Sequence, residues 1–224
     1  MYYYSLGNDM EAINQIAVHQ ENKYVKNVYT EIADYFDNTR AYSWDWVRNF
    51  VSIYVDPKNL VYDIGCGNGR NMMLTNEAHF IGVDNCPKFV EICIKKGLDV
   101  VIGDMCELPF DNQSADALMC VASFHHLMTY QRRRMALLEM VRVCKDKAYI
   151  MISVWSIKQP AKTRRKFDTY GDTIVKWNQN GVIYDRYYYI FRIEEITKLF
   201  DHCGLFIVKH TYDCGNEVFI LRKK

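Results

Sequence analysis

The chain has 224 residues, half of them apolar or aromatic, and a formal net charge of +1. That size suits one α/β domain with a substantial core, and near-neutrality excludes a bulk electrostatic attraction to nucleic acid, so any polyanion site must be local. No stretch approaches the ~20 apolar residues that span a bilayer, the tyrosine-rich N-terminus is unlike a signal peptide, and the eight cysteines contain no Cys-x-x-Cys pair. A cytoplasmic or nuclear protein with no membrane segment, no disulfide framework and no metal site is expected.

Residues 1–55 read as a helical N-terminal extension. Val25, Val28, Tyr29, Ile32, Ala33, Tyr35 and Phe36 recur at helical spacing, as do Trp44, Val47, Phe50 and Val51. The junction Phe36-Asp37-Asn38-Thr39-Arg40 breaks the first run before the second begins. A buried strand then ends in an acid, Leu60-Val61-Tyr62-Asp63-Ile64, and a glycine-rich turn, Gly65-Cys66-Gly67-Asn68-Gly69-Arg70, follows where a helix should start. Alternate glycines let the backbone turn sharply and approach a ligand closely. A dinucleotide fingerprint wants Gly-x-Gly-x-x-Gly; here the third glycine comes one residue early, and Arg70 stands in its place.

Two further apolar runs end in acids: His79 to Val83 leads to Asp84 and Asn85, and Leu98 to Gly103 leads to Asp104 and Met105. An acid about 20 residues beyond the glycines is placed to accept hydrogen bonds from both hydroxyls of a ribose. After a loop containing Pro109, residues 115–122 read as a fourth strand, 131–143 as a helix and 147–154 as a fifth strand. Residues 155–189 form an insertion that is basic and then aromatic, with Lys158, Lys162, Arg164, Arg165 and Lys166 close together. Arg132, Arg133 and Arg134 make a second basic cluster, and Arg222, Lys223 and Lys224 a third. A helix from Ile193 to Cys203 stops at Gly204, and a hairpin around Asp213-Cys214-Gly215-Asn216 closes the chain. Without repeats or low-complexity segments, residues 1–224 form one domain.

Asp63-x-Gly65-x-Gly67-x-Gly69 resembles the first motif of the Rossmann-like, class I S-adenosylmethionine-dependent methyltransferases. The resemblance implies an α/β fold: a mostly parallel seven-stranded sheet with a C-terminal antiparallel hairpin. It implies S-adenosylmethionine contacts at Asp63, Gly65, Gly67, Asp84, Asn85, Asp104 and Met105, with Asp104 at the adenine amino group. The fourth strand is followed by Ser123-Phe124-His125-His126-Leu127, not the Asn/Asp-Pro-Pro-Tyr/Phe tetrad of many amino-group N-methyltransferases.

Gly65-Cys66-Gly67-Asn68-Gly69-Arg70-Asn71, His125-His126-Leu127, Gly171-Asp172-x-x-Val175-x-Trp177 and Arg186-Tyr187-Tyr188 together resemble the eukaryotic tRNA methyltransferases that esterify 5-carboxymethyluridine at the anticodon wobble position. Relatives include the methyltransferase domain of the AlkB-type tRNA hydroxylase. The similarity runs from about Val25 to the C-terminus and departs at Lys176, where the family pattern has proline. It implies tRNA as substrate and a small zinc-binding activator protein as heterodimer partner. The third strand, as a sheet edge, and the apolar helix carrying Phe89, Val90, Ile92, Cys93 and Ile94 are candidates for that contact. A carboxylate is already ionised at neutral pH, so no general base is required. His125, Trp155, Arg40 and Arg186 are the candidate catalytic, substrate-positioning residues, with Trp155 placed to stack on a flipped-out base. A methyltransferase of a small carboxylate or quinone precursor, and a catalytically silent binding subunit, remain as alternatives.

Overall fold

The computed structural model describes the backbone of residues 2–224 apart from residues 75, 76, 162 and 164, and side chains from residue 11 onward. Lys162 and Arg164 of the basic insertion lie outside the described residues.

The N-terminal extension is helical. Helix α1 (Tyr2–Glu21) runs through one π-helical turn (Asn22–Lys26) into α2 (Asn27–Thr39), and α3 (Asp45–Tyr54) follows a short linker. Seven strands, β1 (Leu60–Ile64), β2 (His79–Asp84), β3 (Val100–Ile102), β4 (Ala115–Val121), β5 (Cys144–Trp155), β8 (Leu205–Asp213) and β9 (Asn216–Lys223), form one sheet. Its order is β3-β2-β1-β4-β5-β9-β8. β1 to β5 are parallel to one another, whereas β9 runs antiparallel to both β5 and β8. This is the mostly parallel sheet with a closing hairpin that the sequence implies. Helices α4 (Pro87–Lys95), α5 (Tyr130–Val143) and α6 (Ile193–His202) complete the layers.

Strand side chains alternate between faces, and the core divides accordingly. Tyr62, Leu118, Cys120, Ile150 and Ile152 pack with Leu137 and Met140 of α5 and Leu199 and Phe200 of α6. Val61, Ala117, Met119 and Met151 pack on the other face with Trp46, Val47, Phe50 and Val51 of α3. A third cluster joins α2 to α4 through Ala33, Phe89 and Ile92. Burying both sheet faces is what makes β4 apolar from Ala117 to Val121.

Three expectations change. The helix expected after the glycine turn is absent: the described residues from Gly65 to Leu74 form turns, and Gly65, Gly67 and Gly69 all have positive φ, which right-handed helix does not accommodate. The insertion contains a hairpin, β6 (Gly171–Gln179) and β7 (Val182–Ile190), which forms its own two-stranded sheet. Arg132 and Arg133 are buried, so they contribute no exposed basic cluster. Arg132 donates to Glu21 and Asp104 (2.7 and 2.8 Å), and Arg133 donates to the carbonyls of Leu127 and Met128 (3.0 and 2.7 Å). Among the described residues no helix is long and apolar enough to cross a membrane.

Candidate active site

The carboxyl ends of β1, β2 and β4 open onto a cavity of about 300 Å³. Ligands bind at this end of an open α/β sheet. The glycine turn forms its floor and is stitched to the end of β2: the Gly65 and Cys66 amides donate to Val83 O (2.7 and 3.0 Å), and the Gly67 amide donates to Asp84 Oδ2 (2.8 Å). Gly65, at φ +71°, passes so close to Ser123 that no side chain fits between them.

The second acid thus has a structural duty as well. Asp84 Oδ1 accepts from the Cys86 amide at 2.9 Å, capping the entry to α4, and burial pushes its carboxyl up to about 6. Asp63 is fully buried beneath the turn, both of its oxygens lack a partner, and burial pushes it up to about 7. Asp104 Oδ1 accepts from the Cys106 amide, and its Oδ2 pairs with Arg132. Gly65, Gly67, Asp84, Asn85, Asp104 and Met105 all line the cavity, whereas Asp63 lies behind it.

The linker between α2 and α3 is tied down onto the glycine turn. Asn68 Nδ2 donates to Asp37 Oδ1 (2.8 Å) and to Arg40 O (2.9 Å), and Lys96 Nζ bridges Asp37 and the Asn68 carbonyl. Ser43 donates to Arg70 O and Asn71 Oδ1, both at 3.0 Å. This fixes Arg40 over the cavity, its guanidinium 4.8 Å from the ring centres of both Phe36 and Trp177.

Arg186, 5% exposed, reaches the same Trp177 ring from β7 at 4.7 Å. Arg165 lies over the Trp155 ring at 4.2 Å. Arg40, Arg165 and Arg186 all line the cavity, and among the described residues none of the three makes an ion pair. Burial lowers the Arg40 and Arg165 pKa values, and repulsion by Arg186 adds to this for both.

A chain of hydrogen bonds sets the donors behind them. The Tyr187 carbonyl can only accept, so His126 Nδ1, 2.8 Å away, carries the proton. His126 Nε2 therefore accepts from Tyr29 Oη (3.2 Å), Tyr29 accepts from Tyr188 Oη (3.0 Å), and Tyr188 accepts from Arg186 Nη1 (2.8 Å). Burial pushes the His126 imidazole down to about 3, so it is neutral at pH 7.

The four candidate positioning residues are placed unequally. Arg40, Arg186 and Trp155 line the cavity; of the histidine pair, His126 does so, and His125 lies fully buried behind it. His125 Nδ1 accepts from the Trp155 amide at 3.1 Å. Trp155 offers neither face to a base: Tyr188 stacks on it at 4.0 Å and 9°, so Arg165 must occupy the opposite side. Several lining residues had no assigned role in the sequence reading: Tyr29, Arg70 and Tyr188. Tyr188 stood in the motifs that carried the resemblance, Tyr29 in the apolar run at helical spacing, and Arg70 was conspicuous as the residue displacing a glycine. Arg70 stacks on Trp44 at 4.0 Å, and burial lowers its pKa to about 10.

A turn with glycine at alternate positions, strand-end acids and a buried carboxylate unpartnered among the described residues fit the nucleoside and the cationic aminoacyl end of S-adenosylmethionine. Fold and site together define a class I S-adenosylmethionine-dependent methyltransferase. A methyltransferase-domain family model matches residues 62–152. The tRNA (carboxymethyluridine(34)-5-O)-methyltransferase of Schizosaccharomyces pombe is 30% identical over 228 residues, covering 92% of this chain and 99% of that protein. The chain belongs to the tRNA (carboxymethyluridine(34)-5-O)-methyltransferase family. The probable tRNA methyltransferase 9B of Mus musculus is 36% identical over 73% of this chain, but the chain spans only 35% of that protein's length. Among solved structures, the chain resembles one described as a complex between the Haloferax volcanii Trm112 methyltransferase activator and the putative methyltransferase, with a TM-score of 0.66 at 15% identity. That match covers 89% of this chain and 98% of the other.

Proposed function

We propose that the chain transfers the methyl group of S-adenosylmethionine to the carboxylate of 5-carboxymethyluridine at the wobble position of tRNA, giving the methyl ester, in the cytoplasm or nucleus. The observation that carries this reading is the set of uncompensated guanidinium groups, Arg40, Arg165 and Arg186, facing the same cavity as the glycine turn. Buried charges are normally paired, and a planar fork of N–H donors matches a carboxylate or phosphate.

Gly65, Gly67, Asp84, Asn85, Asp104 and Met105 would hold the cofactor, Asp84 at the ribose and Asp104 at the adenine amino group, with Asp63 acting on its charge from behind the glycine turn. Arg70, opening from the glycine turn, would take the methionine carboxylate. Bound S-adenosylmethionine supplies an electrophilic methyl group on a sulfonium. The protein's part is positioning, which contributes ~7–11 kcal/mol in well-oriented reactions. Arg186 and Arg40 orient the acceptor carboxylate, the Tyr188–Tyr29–His126 chain fixes Arg186, and His125 supports the Trp155 backbone. No general base is invoked, in keeping with a neutral His126 whose ring nitrogens are both engaged.

The partner reading is that a small zinc-binding activator covers the β3 edge. Ile94 of α4 and Ile102 of β3 are 62% and 54% exposed beside that unpaired edge, an arrangement that suits strand addition. A structure of the same fold is described as a complex with a methyltransferase activator.

The test is methyl transfer from labelled S-adenosylmethionine to tRNA lacking the wobble ester, with and without co-expressed activator, the product nucleoside being identified by mass. The expected product is the methyl ester of 5-carboxymethyluridine, formed with the activator present. Cofactor binding without any incorporation into tRNA would move the assignment to a small-molecule carboxylate.

A further inference from the structure

Resting on the carboxylate reading above, we propose that Arg40, Arg165 and Arg186 work as a charge filter. They hold the acceptor as an anion and let it go as a neutral ester. They therefore set selectivity and product release more than the rate of bond formation.

The contrast within the cavity carries this. Of the five described arginines that line it, Arg132 is paired with Glu21 and Asp104, and Arg70, stacked on Trp44, is the group assigned above to the methionine carboxylate. The other three have no carboxylate within 4.0 Å among the described residues and are held by aromatic faces: Arg40 by Phe36 and Trp177, Arg165 by Trp155, and Arg186 by Trp177 and Tyr188. Aromatic rings support a guanidinium without neutralising it. The cavity therefore keeps a net positive field, and Arg186 presents a buried Nε–H with no acceptor. An anion satisfies that donor and offsets the repulsion among the guanidinium groups.

In the transfer itself, a lone pair of the acceptor carboxylate attacks the methyl carbon. The O–CH3 bond forms as the S–CH3 bond breaks, the bonding pair stays on sulfur, and no proton is taken up or released. One negative and one positive charge disappear together. The acceptor therefore bears less negative charge at the transition state than when first bound, and less again as product. Groups that bind the charged ground state more strongly than the transition state lower KM without raising kcat. The same groups lose their hold on the ester. A neutral amide in place of the acid would turn its own N–H donors toward arginine donors.

The experiment uses the full chain saturated with S-adenosylhomocysteine. The probes are three anticodon stem-loops whose wobble uridine carries a carboxymethyl, a carbamoylmethyl or a methoxycarbonylmethyl group, with affinity read by fluorescence anisotropy at one salt concentration. Hydrogen bonds to an ionised group predict that the acid binds about tenfold to a hundredfold tighter than either neutral form. In Arg165→Gln and Arg186→Gln that ratio shrinks, and in turnover KM rises by a larger factor than kcat falls. Arg186 is buried and its variant can misfold, but the comparison of three ligands on the unmodified chain needs no variant. Equal affinity for all three ligands overturns the charge filter, as does a loss of kcat at unchanged KM. Either result leaves methyl transfer to the acid standing, whereas no methylation of the carboxymethyl stem-loop in the presence of S-adenosylmethionine refutes the proposed function itself.

Discussion

Replacing Gly65 with alanine tests whether the glycine turn is a steric requirement of the site. At φ +71°, an L-residue is held in the left-handed region, which costs about 1–2 kcal/mol. The new Cβ would overlap Ser123 Oγ and lie 2.5 Å from Ser123 Cβ. Ser123 follows the end of β4, so relief requires shifting backbone, and overpacking of this kind costs about 1–3 kcal/mol. Together the penalty is about 2–5 kcal/mol, against a total stability of about 5–15 kcal/mol for an ordinary domain. The variant should therefore fold, melt roughly 5–15 °C lower, and bind S-adenosylhomocysteine more weakly because the turn has moved. Thermal unfolding with and without S-adenosylhomocysteine, together with titration calorimetry, reads both effects. Adding Ser123→Gly to Gly65→Ala removes the overlap but not the backbone strain, so it should recover about half of the loss. A Gly65→Ala variant with unchanged melting and affinity, or no recovery in the double variant, would refute the steric account.

Burial holds Asp63 near 7 and Asp84 near 6, far above an unfolded aspartate. Between about pH 4 and pH 7 the folded state thus keeps protons that the unfolded chain has lost, so stability falls as pH rises through that window. Asp63→Asn should flatten the fall; denaturant midpoints measured from pH 5 to pH 8 with the same slope as the parent would contradict it. Tyr29→Phe leaves His126 Nε2 without a donor and the Tyr188 hydroxyl without an acceptor, costing about 1–3 kcal/mol, and frees Arg186 to wander. The expected readout is a raised KM for tRNA together with a lower melting temperature, and wild-type values for both would discount the hydrogen-bond chain. Ile94→Lys and Ile102→Lys place charge on exposed sites beside the β3 edge. Each should weaken co-purification with the activator while leaving the melting temperature of the isolated chain within about 2 °C, since exposed substitutions rarely exceed ~0.5 kcal/mol; undiminished complex would move the partner surface elsewhere.

The large sheet was legible because its signals are local. Each of β1, β2 and β4 is a short apolar run, and the acids Asp63, Asp84 and Asp104 fall at or next to strand ends. The hairpin of β6 and β7 was harder to see, although Asn180-Gly181 is a strong hairpin signal. One face of β6 points to water, and the strand carries Asp172, Lys176 and Asn178 among few apolar residues. Composition alone therefore suggested only an insertion that is basic and then aromatic. The burial of Arg132 depends on Glu21, 111 positions away in the chain, and no local pattern announces such a pair. Nor does spacing show that Trp155 is covered by Tyr188 and Arg165, or that His126, not its neighbour, lines the cavity.

On the proposed function, the acceptor side and the cofactor side of this site are built on different scaffolds. Glycines and acids on the cofactor side sit at the ends of strands whose side chains are the core, so any change there is felt throughout the fold. Trp177, Arg186 and Tyr188 sit on a separate two-stranded ribbon paired only with itself. Such an arrangement lets natural selection retune which acceptor is taken by editing one ribbon, while the machinery that handles the methyl donor is inherited untouched.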